Sequence, residues 1–136
     1  MPRLHRLCCL ALFATLAVSS GGCGNAGPVL PPTVPITAKV TVDGQPLRKA
    51  KISFSPAESG PTSNGIVVDG DVVELWTNAR KPGAVIGDHQ VTIYDQPMEA
   101  EPLDLVPDRY GRISGGIPVV VTEEGPNEFL FELSRK

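Results

Sequence analysis

A chain of 136 residues, 41% hydrophobic and 20% charged, has the make-up of one globular domain, which excludes a two-domain protein and a wholly disordered one. Glycine and proline, 14 of each, favour many turns over long helices, so an all-β chain is the expectation. The formal charge of −3 becomes about −5 if Arg3 and Arg6 leave with an N-terminal leader, and so acidic a surface repels phosphate backbones and excludes nucleic acid as the expected partner.

The chain opens with a leader. Arg3 and Arg6 make a cationic start, and Leu7 to Val18 follow as an uncharged apolar run. About a dozen apolar residues fall short of the 20 or so that span a bilayer, so residues 1–22 read as an export signal and not a permanent membrane helix. Ser19, Ser20, Gly21 and Gly22 then lead into Cys23, small side chains that suit the narrow site of a lipoprotein signal peptidase. The segment resembles a bacterial lipobox, although Ser20 stands where that motif usually carries an aliphatic residue; ordinary signal-peptide cleavage nearby is the alternative. Cys8 and Cys9 leave with the leader, making Cys23 the sole mature thiol. No disulfide or cysteine-based metal site is then available, and a fatty acyl group such as palmitate on Cys23 explains why an exported chain keeps one thiol. Residues 23–35, with Pro28, Pro31, Pro32 and Pro35, read as an extended tether that holds the domain about 30–40 Å off the bilayer.

Residues 36–136 read as a single domain of seven strands. Ile36, Ala38, Val40 and Val42 alternate with polar neighbours and stop at the turn Asp43-Gly44; Ala50, Ile52 and Phe54 repeat the pattern. Ser59 to Asn64 reads as loop. Gly65 to Val68 and Val72 to Thr77 flank Asp69-Gly70, a strong hairpin signal, and parity sets Trp76 with Val72 and Glu74, opposite Val73 and Leu75. His89 to Tyr94 is the fifth strand, with His89, Val91 and Ile93 inward. Asp95 to Gly116, with Pro97, Pro102 and Pro107, reads as a long loop. Ile117 to Thr122 and Asn127 to Leu133 are expected to close the chain as a hairpin, with Phe129, Phe131 and Leu133 on one face meeting Phe54 in the core. The fold class expected is an all-β, seven-stranded antiparallel sandwich.

The run from Val40 to Leu47 followed by Ala50 to Phe54 resembles the opening of carboxypeptidase-regulatory-like, transthyretin-like domains. Pro82 to Ile93 is similar to the glycine-led strand of that family, and Val106 to Tyr110 with Asn127 to Leu133 resembles the ending of small planctomycete lipoproteins. The likeness covers nearly all of residues 36–133. It implies a prealbumin-like sandwich on the cell envelope and carries little about function. One enzyme of such folds, the hydroxyisourate hydrolase, uses several histidines and a C-terminal Tyr-Arg-Gly-Ser; this chain ends Leu133-Ser134-Arg135-Lys136, so that chemistry does not carry over.

Residue by residue, the chemistry expected is sparse. His89 is the only histidine outside the leader, and its parity places it in or at the edge of the core, so no nucleophile has an evident base. Asp69, Asp71 and Glu74 ring a tight turn as a hard cation prefers, but without the alternate-position spacing of an EF-hand loop, and they read as a solvated hairpin tip. Glu99, Glu101, Asp104 and Asp108 read as a solvated acidic loop, and Arg48, Lys49 and Lys51 with Arg80 and Lys81 as solvated turn residues. Trp76 and Tyr94 are the aromatic candidates for a binding surface. No catalytic residue, metal site or cofactor is expected. The function expected is a non-catalytic binding or structural module, held at the membrane by a lipid on Cys23 on the periplasmic or outer-surface side. Its partner would be an envelope protein or a polysaccharide, with a carbohydrate-contacting module as the alternative and an enzyme as the weakest reading.

Overall fold

The computed structural model describes residue 24, residues 27–96 and residues 104–136, and over these the chain is mostly antiparallel β. Cys23, Glu99 and Glu101 lie outside the described residues. In chain order the strands are β1 (Thr33–Val34), β2 (Thr37–Val42), β3 (Gln45–Pro46), β4 (Lys49–Pro56), β5 (Ser63–Val68), β6 (Asp71–Thr77), β7 (Lys81–Pro82), β8 (Ala84–Val85), β9 (Gly87–Tyr94), β10 (Ile117–Val121) and β11 (Glu128–Leu133). No helix among the described residues is long and apolar enough to cross a membrane. The main sheet runs β10-β9-β4-β5-β6-β2-β11, with β3 added to β2 and β7 to β6, while β1 and β8 form a separate pair.

Alternation drives the long strands. Ala38, Val40 and Val42 of β2, Ala50, Ile52 and Phe54 of β4, and His89, Val91 and Ile93 of β9 all point into one core. The two Asp-Gly dipeptides turn the chain as their chemistry dictates: Asp43 and Gly44 have φ of 50° and 81°, Asp69 and Gly70 of 48° and 88°, the paired positive angles of a tight type I′ reversal.

The sheet cannot be flat. Phe54 on β4 and Phe131 on β11 sit four strand positions apart, which across a flat sheet is about 19 Å, yet their rings meet edge to face at 6.2 Å between centroids. Phe129 lies 6.2 Å from Phe54 and stacks on Phe131 at 6.1 Å. The sheet therefore curls until β11 faces β4. The bend falls between β6 and β2, which share a single register pair, Lys39 with Asp71.

Three expectations are corrected here. β10 and β11 do not form a hairpin: β10 pairs antiparallel with β9, and β11 runs parallel to β2 with Phe131 beside Val40. The connection is held by a side chain instead of a ladder, since Asn127 Oδ1 accepts from Thr122 N and Asn127 Nδ2 donates to Thr122 O, each at 2.8 Å. With its backbone free of β10, β11 crosses to the facing layer and buries Phe131 and Leu133 there. The long loop, second, is partly structured: Asp108–Gly111 and Ile113–Gly115 are short 3-10 helices. It is pinned by the Asp95 carboxylate, which accepts from Leu105 N at 3.0 Å and Val106 N at 3.3 Å and sets Val106 into the core.

Third, the proline-rich stretch does not stand off along its length. Leu30 is buried, β1 pairs with β8, and Lys81 Nζ donates to Leu30 O at 3.2 Å. Gly83 makes this possible: its φ is +89°, and a Cβ there would lie 2.2 Å from Val34 O. Its own carbonyl accepts from Thr77 Oγ1 at 2.9 Å, so the proton between Thr77 and Ser63, 2.7 Å apart, comes from Ser63. This buried hydroxyl chain fixes the β6–β7 return and the docked residues 30–35 together.

The phenylalanine cluster yields a direct test. Phe131→Ala should cost about 3–5 kcal/mol, a large share of the 5–15 kcal/mol typical of a domain, and denaturant unfolding with a melting curve reads it. An unchanged midpoint would mean that the curl does not depend on this contact.

Candidate functional site

The two faces of the β9-β4-β5-β6 layer have opposite characters. Inward are His89, Val91 and Ile93, Ile52 and Phe54, Val67, Leu75 and Thr77; outward are Tyr94, Lys51, Ile66, Val73, Asn64 and Trp76. Trp76 and Val73 share a face because the ladder slips one residue between Asn64 and Ile66. Glu74, at φ 51°, is the extra residue, a bulge opposite Gly65. A Cβ on Gly65 would lie 3.0 Å from Leu75 Cδ1 and 3.2 Å from Val73 O, so the bulge packs closely over the glycine and a larger residue there would push its neighbours aside. The expected parity is thereby corrected. Trp76 lies with Asp71 and Val73, not with Val72 and Glu74, because one inserted residue inverts every side chain that follows it.

Trp76 is 43% exposed, and with Asn64 and Ala79 it lines an open depression of about 410 Å³. Ser53 Oγ donates to Asn64 Oδ1, which leaves the two Nδ2 hydrogens of Asn64 as the donors beside the indole. Asn64 was legible only as loop; it belongs to β5, whose start at Ser63 no periodicity over Ser59 to Asn64 announces. Tyr94 is on the same outward face but three strands away, about 14 Å. It lines a separate depression of about 320 Å³ with Asp95, Pro107, Asp108 and Arg112. Trp76 and Tyr94 therefore do not form one site.

His89 is sealed, at 2% exposure, against the Phe54 ring 6.1 Å away. Its Nε2 lies 2.7 Å from Val85 O, and a carbonyl only accepts, so the proton is on Nε2. Its Nδ1 has no partner, the one such buried side-chain atom among the described residues. A base so placed reaches no substrate. Asp71 is ion-paired with Lys39 at 2.7 Å on an exposed surface, and Asp69 occupies the turn while Glu74 occupies the bulge. No three His, Cys, Asp or Glu side chains gather among the described residues.

A polar clasp that the sequence did not suggest closes the far end of the domain. Tyr110 Oη accepts from Ser134 N at 3.1 Å and from Arg109 Nη2 at 3.2 Å, and the Arg109 guanidinium lies 4.9 Å from the Tyr110 ring centre. Arg109 also donates to Ser134 O. Arg135 donates to Asp104 O at 3.0 Å and Leu105 O at 2.9 Å. The two sides of the clasp, residues 104–110 and 134–135, lie 24 or more positions apart, so no local pattern announces them. No protein family, curated protein or solved structure matches the chain.

The clasp predicts an alkaline signature. The Ser134 N–H and then the Arg109 guanidinium favour the phenolate and hold Tyr110 below the usual 10.0, against an opposing push from partial burial. A lowered folded value means that ionised Tyr110 adds stability as pH rises through that value, fully so above the unfolded value, and loses it as pH falls back. Absorbance titration at 295 nm should show a phenol ionising below 10.0, and Arg109→Gln should move it upward. In parallel, stability relative to Tyr110→Phe should grow over the same window; a flat difference would sever the link.

Proposed function

We propose that the chain is a bacterial envelope lipoprotein, acylated at Cys23, whose transthyretin-like, seven-stranded sandwich is a non-catalytic binding or structural module. The observation that carries the non-catalytic part is His89: the only histidine beyond the leader is buried against Phe54, with its proton held by Val85 O. Serine or cysteine hydrolysis needs a base in reach of a nucleophile, and metal hydrolysis needs convergent ligands. Asp69, Asp71 and Glu74 are spread over a turn, an ion pair and a bulge, which supports reading them as structural. The anchor rests on the leader and on Cys23 as the sole mature thiol.

A second reading, a carbohydrate-contacting surface, is favoured by Trp76 with Asn64: an exposed indole face beside amide donors suits the apolar face and hydroxyls of a sugar ring. Tyr94, in its own depression, would contribute separately.

Intact-mass measurement on the membrane fraction should find a lipid increment on a chain beginning at Cys23, and a soluble, unlipidated mature protein would sink the anchor. Purified protein should turn over no ester, peptide, phosphate or glycoside substrate; turnover abolished by His89→Ala, or by changing Asp69 and Asp71 together, would overturn the non-catalytic reading. Polysaccharide pull-down lost on Trp76→Ala but kept on Tyr94→Ala would promote the carbohydrate reading over a protein partner.

A further inference from the structure

The docked N-terminal segment leads away from the domain at a basic corner. Gly27 sits beside Arg80, its position for a Cβ being 3.1 Å from Arg80 Nη1, and Arg80 Nη1 reaches Pro28 O at 3.5 Å. Lys81 holds Leu30 O at 3.2 Å. Both cations are exposed and donate to neutral carbonyls, so among the described residues no carboxylate offsets their charge; the ion pair there is Lys39 with Asp71. Acidic groups do share depressions with the docked segment, Glu74 with Thr33 and both Glu58 and Asp88 with Pro31, but among the described residues none of them forms an ion pair with either cation.

Covalent geometry then sets a distance. Gly27 is four Cα-to-Cα steps from Cys23, and four steps of extended chain span at most about 14 Å. An acyl chain on Cys23 would therefore hold Gly27, and Arg80 beside it, close to the lipid headgroups. That is comparable to the Debye length of about 8–10 Å at ordinary ionic strength, so the headgroup charge is felt. A tether free along residues 23–35 would not do this; docking from Leu30 onward removes most of its reach.

We propose that the Arg80–Lys81 corner, with the docked residues 27–35, is a membrane-seating surface that binds anionic lipid headgroups and so fixes the orientation of the domain. This rests on acylation at Cys23. An acyl anchor together with a basic patch is a two-signal attachment, with each Lys or Arg near an anionic surface adding to the other. Register shows what the seating leaves free: Lys81 pairs with Thr77, whose side chain is in the core, whereas Trp76 pairs with Pro82 and faces the other way. Seating at this corner keeps Trp76, four residues from Arg80, at the membrane-proximal end of the domain, while its indole faces the side opposite Lys81.

The lone tryptophan reads the orientation. Mature full-length protein would be reconstituted into phosphatidylglycerol or phosphatidylcholine vesicles carrying a dansyl headgroup acceptor, after flotation has established that the parent is membrane-bound. Failure to float refutes the anchor itself, before any question of seating arises. On anionic vesicles, energy transfer from Trp76 should fall in the double variant Arg80→Gln, Lys81→Gln, reflecting a roughly thirty-fold lower ratio of seated to free domains. Arg80→Lys, which keeps the charge, should retain it. For the parent, transfer on anionic vesicles should drop to the phosphatidylcholine level at about 1 M salt, where the Debye length is about 3 Å; this arm needs no variant and is immune to a folding defect. A floating parent whose transfer ignores salt and lipid charge overturns the seating surface and leaves the lipid anchor standing.

Discussion

The contact of Phe54 with Phe129 and Phe131 is the constraint around which the fold is arranged. Three aromatic rings on strands β4 and β11 meet only if the sheet bends, and bending is cheapest where the ladder is weakest, at the single Lys39 and Asp71 pair between β6 and β2. The gain is the burial of large apolar surface at about 25 cal/mol per Å², with edge-to-face ring contact added. Once β11 is committed to that face, β10 must find another partner, and β9 supplies it. The Asn127 carboxamide then serves in place of the hairpin ladder that the chain gives up.

The outward face follows from a smaller device. Gly65 lets β6 carry one residue more than β5, and this extra residue, Glu74, decides that Leu75 points inward and Trp76 outward. Without the bulge Leu75 would face solvent and Trp76 the core. The hydroxyl chain from Ser63 through Thr77 to Gly83 O locks the next turn in place. The exposed indole, the buried hydroxyls and the docking of residues 30–35 are thus parts of one local arrangement, so the surface proposed to bind and the surface proposed to seat on lipid are set by the same hairpin, on its two sides.

At the other end, the segment from residue 104 to residue 116 is ordered by charge and by hydrogen bonding more than by apolar burial. Asp95 collects the amides of Leu105 and Val106, and Tyr110, Arg109 and Arg135 tie the segment to the C-terminal residues. Only Val106 there is deeply buried. Substitution of a group that holds a loop in this way acts locally, leaving the phenylalanine core intact.

Alternation of period two and Asp-Gly turn chemistry, both local properties, were enough for the sequence by itself to determine the all-β class, the positions of the longer strands within a residue or two, both I′ turns, and the inward set of Phe54, Phe129, Phe131 and His89. What only tertiary structure decided were relations between distant segments: β11 beside β2 and not β10, the docking of residues 30–35, the Tyr110 clasp and the face on which Trp76 lies. Strand pairing depends on which apolar faces can be buried together, and the bulge of β6 depends on its register against β5. Neither leaves a period in the chain that contains it, because the partner that fixes it is elsewhere in the sequence.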